Sequence, residues 1–167
     1  MSRTIIGVMG PGENATPTEC DRAYELGWRI ARSGWVLLTG GRNRGVMEAA
    51  SQGAQSGNGL TIGILPGRDR QGISAAVDLA IVTDMGNARN NINILSSHVI
   101  IACGMGLGTA SEVALALKSQ TPTILLSDRR SRHFFTDLAG DRLMFAVSPE
   151  EAIAKTRAAI ARLAQAK

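Results

Sequence analysis

Apolar residues fall into short continuous runs, and between the runs they recur at helical spacing. Thr4–Met9 reads as a first strand that empties into the turn Gly10-Pro-Gly12. Thr16-Pro-Thr-Glu19 reads as a helix start, with Thr16 as N-cap, Pro17 at the first helical position and Glu19 closing a capping box. Ala23, Leu26, Ile30 and Ala31 then form one stripe, and Gly34 ends the helix. Trp35–Thr39 is a second strand, Gly40–Gly45 a tight loop, and Val46–Ser56 a helix stopped by Gly57. Leu60–Leu65 is a third strand ended by Pro66, 67–76 is irregular, and Leu79–Thr83 is a further strand. Ala88–Ser97 reads as a helix with Ile92, Ile94 and Leu95 facing inward, followed by a buried β-branched strand over His98–Ala102. Thr109–Lys118 is a helix and Pro122–Leu126 a strand. Asp128–Asp141 is charged and loop-like, Leu143–Val147 is the last strand, and Ser148-Pro-Glu-Glu151 caps a helix reaching Gln165.

Strands that alternate with helices, and that are apolar throughout, imply a parallel sheet covered on both faces. With right-handed crossovers this is an α/β fold: one doubly wound, Rossmann-like three-layer α/β/α domain spanning residues 1–167. Ligands in such folds sit at the carboxyl ends of the strands. Three glycine-rich turns fall there, Gly10–Gly12, Gly40–Gly45 and Gly104–Gly108, which points to one composite site.

Composition narrows the classes. The 167 residues are 44% hydrophobic and 19% charged, as in a globular domain. The net charge of +4 comes from scattered basic residues, which suits an anionic metabolite and not a nucleic-acid footprint. Two isolated cysteines, Cys20 and Cys103, make no metal cluster. No apolar run approaches the ~20 residues of a membrane span and the N-terminus lacks a signal pattern, so no membrane is expected and the cytoplasm is the expected compartment.

A dinucleotide fingerprint needs G-x-G-x-x-G after strand one and an acidic residue after strand two; here the second strand ends Thr39-Gly40-Gly41, so NAD and FAD are not expected. No glycine-lysine-serine/threonine triplet gives a P-loop, and His98 and His133 stand alone. What remains is phosphate binding. Gly104-Met105-Gly106-Leu107-Gly108-Thr109 lets the backbone approach a ligand and opens a helix whose N–H groups suit an anion. Glu112, placed in the first turn of that helix, would repel a phosphate beside it and so faces a neutral part of the ligand, such as a sugar hydroxyl, an anomeric carbon or a heterocycle N–H. Arg89 lies among Asn87, Asn90 and Asn91 just before a buried run. Arg42 and Arg44, flanking Asn43 in the second glycine loop, fit either bidentate phosphate contacts or exposed loop charge. Cys103 reads as a small buried residue and Glu48 as surface.

These residues resemble a known superfamily: the proteins once labelled "possible lysine decarboxylase", the LONELY GUY-type phosphoribohydrolases and the molybdenum cofactor carrier proteins. Gly40-Gly-Arg-Asn-Arg-Gly-Val-Met-Glu48 is similar to its first glycine loop, Gly104-Met-Gly-Leu-Gly-Thr-Ala-Ser-Glu112 to its second, and Arg89 stands where its arginine does. The likeness spans roughly Ile5–Leu126. In the hydrolase branch it implies catalytic roles for Arg89 and Glu112 in cleaving the N-glycosidic bond of a nucleoside 5′-monophosphate. Two departures, Asn90 in place of lysine and Met105 in the leading Pro-Gly-Gly, point to the carrier branch. That branch implies molybdenum cofactor as ligand, no protein-ligated metal, molybdoenzymes or cofactor-synthesis proteins as partners, and a homodimer or homotetramer. The implied binding set is Gly10, Gly12, Gly40, Gly41, Arg42, Asn43, Arg44, Gly45, Asn87, Arg89, Asn90, 104–109 and Glu112.

Overall fold

In a computed structural model of the chain, which describes residues 3–126, 129–139 and 142–165, seven parallel strands form one sheet. They are β1 (Ile5–Met9), β2 (Val36–Thr39), β3 (Thr61–Leu65), β4 (Leu79–Val82), β5 (Val99–Cys103), β6 (Thr123–Leu126) and β7 (Leu143–Phe145). Their order across the sheet is β4-β3-β2-β1-β5-β6-β7. The chain winds outward from β1 to β4, returns to β5 on the other side of β1, and winds outward again. The loops after β1 and β5 therefore part company at the middle of the sheet, the switch point where ligands bind in doubly wound folds. β1–β3, β5 and β6 are buried almost throughout, as their apolar runs predict; β4, at the edge, exposes Leu79, Ile81 and Val82.

Helices cover both faces. α1 (Pro17–Arg32), α2 (Gly45–Ser56) and α6 (Pro149–Gln165) lie over one core, where Leu26, Ile30, Ala50 and Ile153 meet Ile6, Leu37 and Ile101. α3 (Asn90–Leu95), α4 (Leu107–Lys118) and α5 (Arg129–Ala139) lie over the other. The capping box at α1 is complete: Glu19 N–H donates to Thr16 Oγ1 at 3.2 Å, and the Thr16 N–H donates to Glu19 Oε2 at 2.7 Å. At α6, Glu151 N–H donates to Ser148 Oγ, while the Glu151 carboxylate accepts from Val147 one residue further out.

Two elements and one side chain differ from the sequence reading. The charged stretch expected as a loop over Asp128–Asp141 holds helix α5 instead, anchored by Phe135 and Ala139, one turn apart and buried with Ala102, Val113 and Leu125; residues 127, 128, 140 and 141 lie outside the described residues. The helix expected over Ala88–Ser97 is a 3-10 turn (Gly86–Arg89) followed by the short α3. Its register buries Asn90, Asn93 and Ile94 and turns Leu95 outward, 64% exposed, so Leu95 is not a core residue. Glu48, expected at the surface, is half-buried: Oε1 accepts from Gln52 and Oε2 is buried with no hydrogen-bond partner.

α1 and α2 touch backbone to backbone. A Cβ added at Gly27 would lie 2.0 Å from the Ala50 carbonyl oxygen, and one at Gly53 only 1.9 Å from that of Tyr24. Alanine favours a helix interior over glycine by up to ~1 kcal/mol, but overpacking of this kind costs about 1–3 kcal/mol. Gly27→Ala should therefore lower the unfolding free energy, measured by urea titration, whereas Gly67→Ala, with nothing within 4 Å, should leave it within ~0.5 kcal/mol of the parent. A stabilised Gly27→Ala would mean that the two helices can separate freely.

Candidate functional site

The three glycine loops meet at the carboxyl end of β1 and enclose a cleft of about 570 Å3. Its floor is the end of β1, Val8 and Met9. One wall is Gly10–Asn14; a second is Gly40, Arg42, Arg44 and Met47; the third is Asn87, Arg89 and Asn90 with the start of α4. The loops are locked together by backbone contact. Val46 N–H donates to the Pro11 carbonyl at 3.0 Å, so the N-terminus of α2 is already engaged. The N-terminus of α4 is not: its N-cap is Gly106, which offers no side-chain acceptor, and Leu107, Gly108 and Thr109 provide the first-turn N–H groups that a helix cannot satisfy internally. All three residues line the cleft, and Thr109, 2% exposed, carries a buried hydroxyl without a hydrogen-bond partner. An oxyanion is the natural complement to such an end.

Arg89 and Glu112 face each other across the cleft. Arg89 Nη1 lies 3.9 Å from Glu112 Oε1, and both side chains are about nine-tenths buried. Gly40 makes room for the guanidinium: a Cβ there would sit 2.7 Å from both Nη1 and Nη2. Glu112 Oε1 also accepts from Asn93 Nδ2 at 3.0 Å, and Asn93 is fully buried beneath it. Burial is the main influence on both charged groups. It raises the Glu112 carboxyl above its ordinary value, against the opposing pull of Asn93 and Arg89. It lowers Arg89, which Glu112 partly restores and Arg42 lowers further. Arg42 is thus near enough to repel Arg89, and the cleft is under-compensated positive charge. Arg89 Nε, in the cleft wall, and Asn93 Oδ1, behind it, are buried without hydrogen-bond partners.

Most of the residues singled out in the sequence come together here: Gly10, Gly12, Gly40, Arg42, Arg44, Asn87, Arg89, Asn90, Met105, Gly106, Leu107, Gly108, Thr109 and Glu112 line the cleft. Four do not. Gly41, Gly45 and Gly104 take positive φ and stand behind the wall, backed respectively by Gly63, Gly12 and Glu19; Asn43 is exposed, its N–H donating to the Gly72 carbonyl. Glu112 lies in the second turn of α4, not the first, because the helix starts at Leu107 and takes in Gly108. The carboxylate is thereby set back from the uncapped end of the helix. Cys103 is buried as expected, donates to the Glu19 carbonyl at 3.5 Å, and has its thiol pushed up to about 12, chiefly by burial. Sequence reasoning missed Asn93, Glu13 and Met47. Asn93 had a signal: a polar residue between Ile92 and Ile94, one turn beyond Arg89.

A pH dependence follows. With the folded-state pKa of Glu112 raised, the native protein holds a proton that the unfolded chain has already released, so stability falls as pH rises. Wild-type protein should lose unfolding free energy relative to Glu112→Gln as pH rises from about 4.5 through the raised pKa, and level off above it. Curves that stay parallel over that window would remove burial as the dominant influence.

The chain is similar to several known proteins. The chain superposes with a TM-score of 0.94 on the structure of the molybdenum cofactor binding protein of the phototrophic bacterium Rippkaea orientalis, at 61% identity over 96% of this chain and 99% of that one. It matches the molybdenum cofactor carrier protein of Chlamydomonas reinhardtii with a TM-score of 0.91 and 49% identity, again over 96% and 99% of the two chains. A cytokinin riboside 5′-monophosphate phosphoribohydrolase of Mycobacterium tuberculosis is 33% identical over 59% of this chain and 56% of its own. The model of the SLOG cluster4 family matches residues 3–153, and the chain belongs to that family.

Proposed function

We propose that this protein binds molybdenum cofactor, a pterin bearing a phosphate and a dithiolene-bound oxo-metal, and shelters it for transfer. The observation that carries the reading is the uncapped N-terminus of α4 opening into a cleft walled by Arg42, Arg44 and Arg89. Under this reading Leu107, Gly108 and Thr109 hold the phosphate through backbone N–H groups and the Thr109 hydroxyl. Glu112, set back one turn and fixed by Asn93, accepts pterin N–H groups. The dithiolene supplies the metal's sulfur ligands, so the protein need supply none. The 61% and 49% identities over nearly whole chains support the same ligand. Molybdoenzymes or cofactor-synthesis proteins are the proposed exchange partners and the cytoplasm the proposed compartment.

The second reading, hydrolysis of nucleoside 5′-monophosphates, is favoured by the Arg89–Glu112 pair, since a carboxylate beside an anomeric carbon stabilises an oxocarbenium-like transition state. Against it stands Asn90, which replaces the hydrolases' lysine and is tied to α4 by a 3.2 Å hydrogen bond from its Nδ2 to Ser111 Oγ.

Titration with isolated molybdenum cofactor should give saturable binding, weakened about tenfold or more in Glu112→Ala, the scale of a hydrogen bond to a charged group. Nucleoside 5′-monophosphates should release no free base by chromatography. Base release that disappears in Glu112→Ala would make the protein an enzyme and overturn the carrier reading. A homodimer or homotetramer is also proposed, and a light-scattering mass equal to one chain would refute it.

A further inference from the structure

The mouth of the cleft holds a second ion pair, independent of Arg89 and Glu112. Arg44 Nη1 donates to Glu13 Oε1. Glu13 lies in the loop after β1 and Arg44 is the N-cap residue of α2, so the pair joins two walls, and both residues line the cleft. Their backbones are held in place: Val46 N–H bonds the Pro11 carbonyl, and a Cβ at Gly45 would lie 2.1 Å from the Gly12 carbonyl oxygen. The side chains are not so confined, with Arg44 47% and Glu13 67% exposed. Because Pro11 already engages the end of α2, what this wall offers an anion is guanidinium groups, and of its two, Arg44 is the one held by a carboxylate. Arg42, on the same wall, has no acidic partner among the described residues.

We propose that Glu13 is an internal competitor for the anionic part of the ligand. In the free protein its carboxylate occupies Arg44; an entering phosphate or oxo-anion takes that guanidinium and leaves Glu13 to solvent. The exchange is side-chain rotation on fixed loops. It is favourable because an exposed carboxylate pair is weak, whereas a phosphate accepts two parallel bonds from one guanidinium. Removing an intrinsic competitor raises affinity, so Glu13 sets an upper limit on how tightly the cleft holds its ligand, as release to an acceptor requires. The inference rests on the anion-binding reading above and adds the residue that moderates it.

The test is equilibrium binding of inorganic phosphate and of isolated molybdenum cofactor to wild type, Glu13→Gln, Arg44→Gln and the double variant at one low ionic strength. Glu13→Gln should bind about two- to fivefold tighter, the range set by an exposed pair, and Arg44→Gln more weakly. Adding Glu13→Gln to Arg44→Gln should give a smaller gain than in wild type. Unchanged affinity in Glu13→Gln overturns the inference. So does an equal or larger gain in the Arg44→Gln background, which would mark general repulsion and not competition for Arg44. Whichever probe binds decides the matter. Phosphate giving the expected pattern without cofactor binding would sink the carrier reading and keep Glu13's role, while cofactor binding that ignores Glu13→Gln would do the reverse. No binding of either probe by any of the four proteins would sink both.

Discussion

Everything at the ligand end of this molecule depends on backbone contact around the carboxyl end of β1. β1 is the central strand, paired to β2 on one side and β5 on the other, and its exit loop must pass between the loops leaving both neighbours. Side chains would hold these loops apart: a Cβ at Gly10 would fall 2.4 Å from the Cys103 carbonyl oxygen, and one at Gly45 would strike the Gly12 carbonyl. Because the loops close directly on one another, their backbones hold the walls of the cleft in place. Such pre-formed walls carry a smaller ordering cost on binding.

Within that frame the cleft divides its charge by depth. At the bottom Arg89 and Glu112 face each other at 3.9 Å, buried and each shifted against its charged form. Two charges at that depth are costly to desolvate and stabilise a fold little, and perturbed groups of this kind cluster at functional sites. Asn93 makes the arrangement workable by donating to Glu112 from below. At the rim Arg44 and Glu13 meet in water. The uncapped end of α4 lines the same cleft. One cleft thus combines a buried carboxyl group in Glu112, a helix end with unpaired N–H groups and the exposed Arg44 guanidinium at the mouth, a set that suits the proposed ligand, anionic at one end and rich in N–H groups at another.

The fold was legible because its signals were local and mutually consistent. β5 and β6 read as uninterrupted apolar runs, α1 announced itself with Thr16, Pro17 and Glu19, and the glycine loops fell at strand ends. Arg89 was legible from the asparagines crowded around it and Glu112 from its place on the helix after the third glycine turn. α5 was not, because charged residues crowd the segment, and among its described side chains Phe135 and Ala139 are the ones packed in the core. Leu95 was misplaced for a related reason: one 3-10 turn before α3 rotates the register, and a buried asparagine takes the inward position that apolar spacing assigns to leucine.

The sequence by itself determined the parallel α/β class, the order of the strands along the chain, the three glycine-rich turns at strand ends, and Arg89 and Glu112 as charged groups near them. These depend on periodicity and local backbone conformation, which neighbouring residues set. Only the tertiary structure decided that Gly41, Gly45 and Gly104 serve packing behind the wall, that Asn93 holds Glu112, that Gly40 is the seat of the Arg89 guanidinium, and that Glu13 meets Arg44. Each of those facts is a contact between residues distant in sequence or on different turns. Strand order and the closeness of the loops set such contacts, and a local pattern can at most flag one partner, as Ile92-Asn93-Ile94 does, without naming the other.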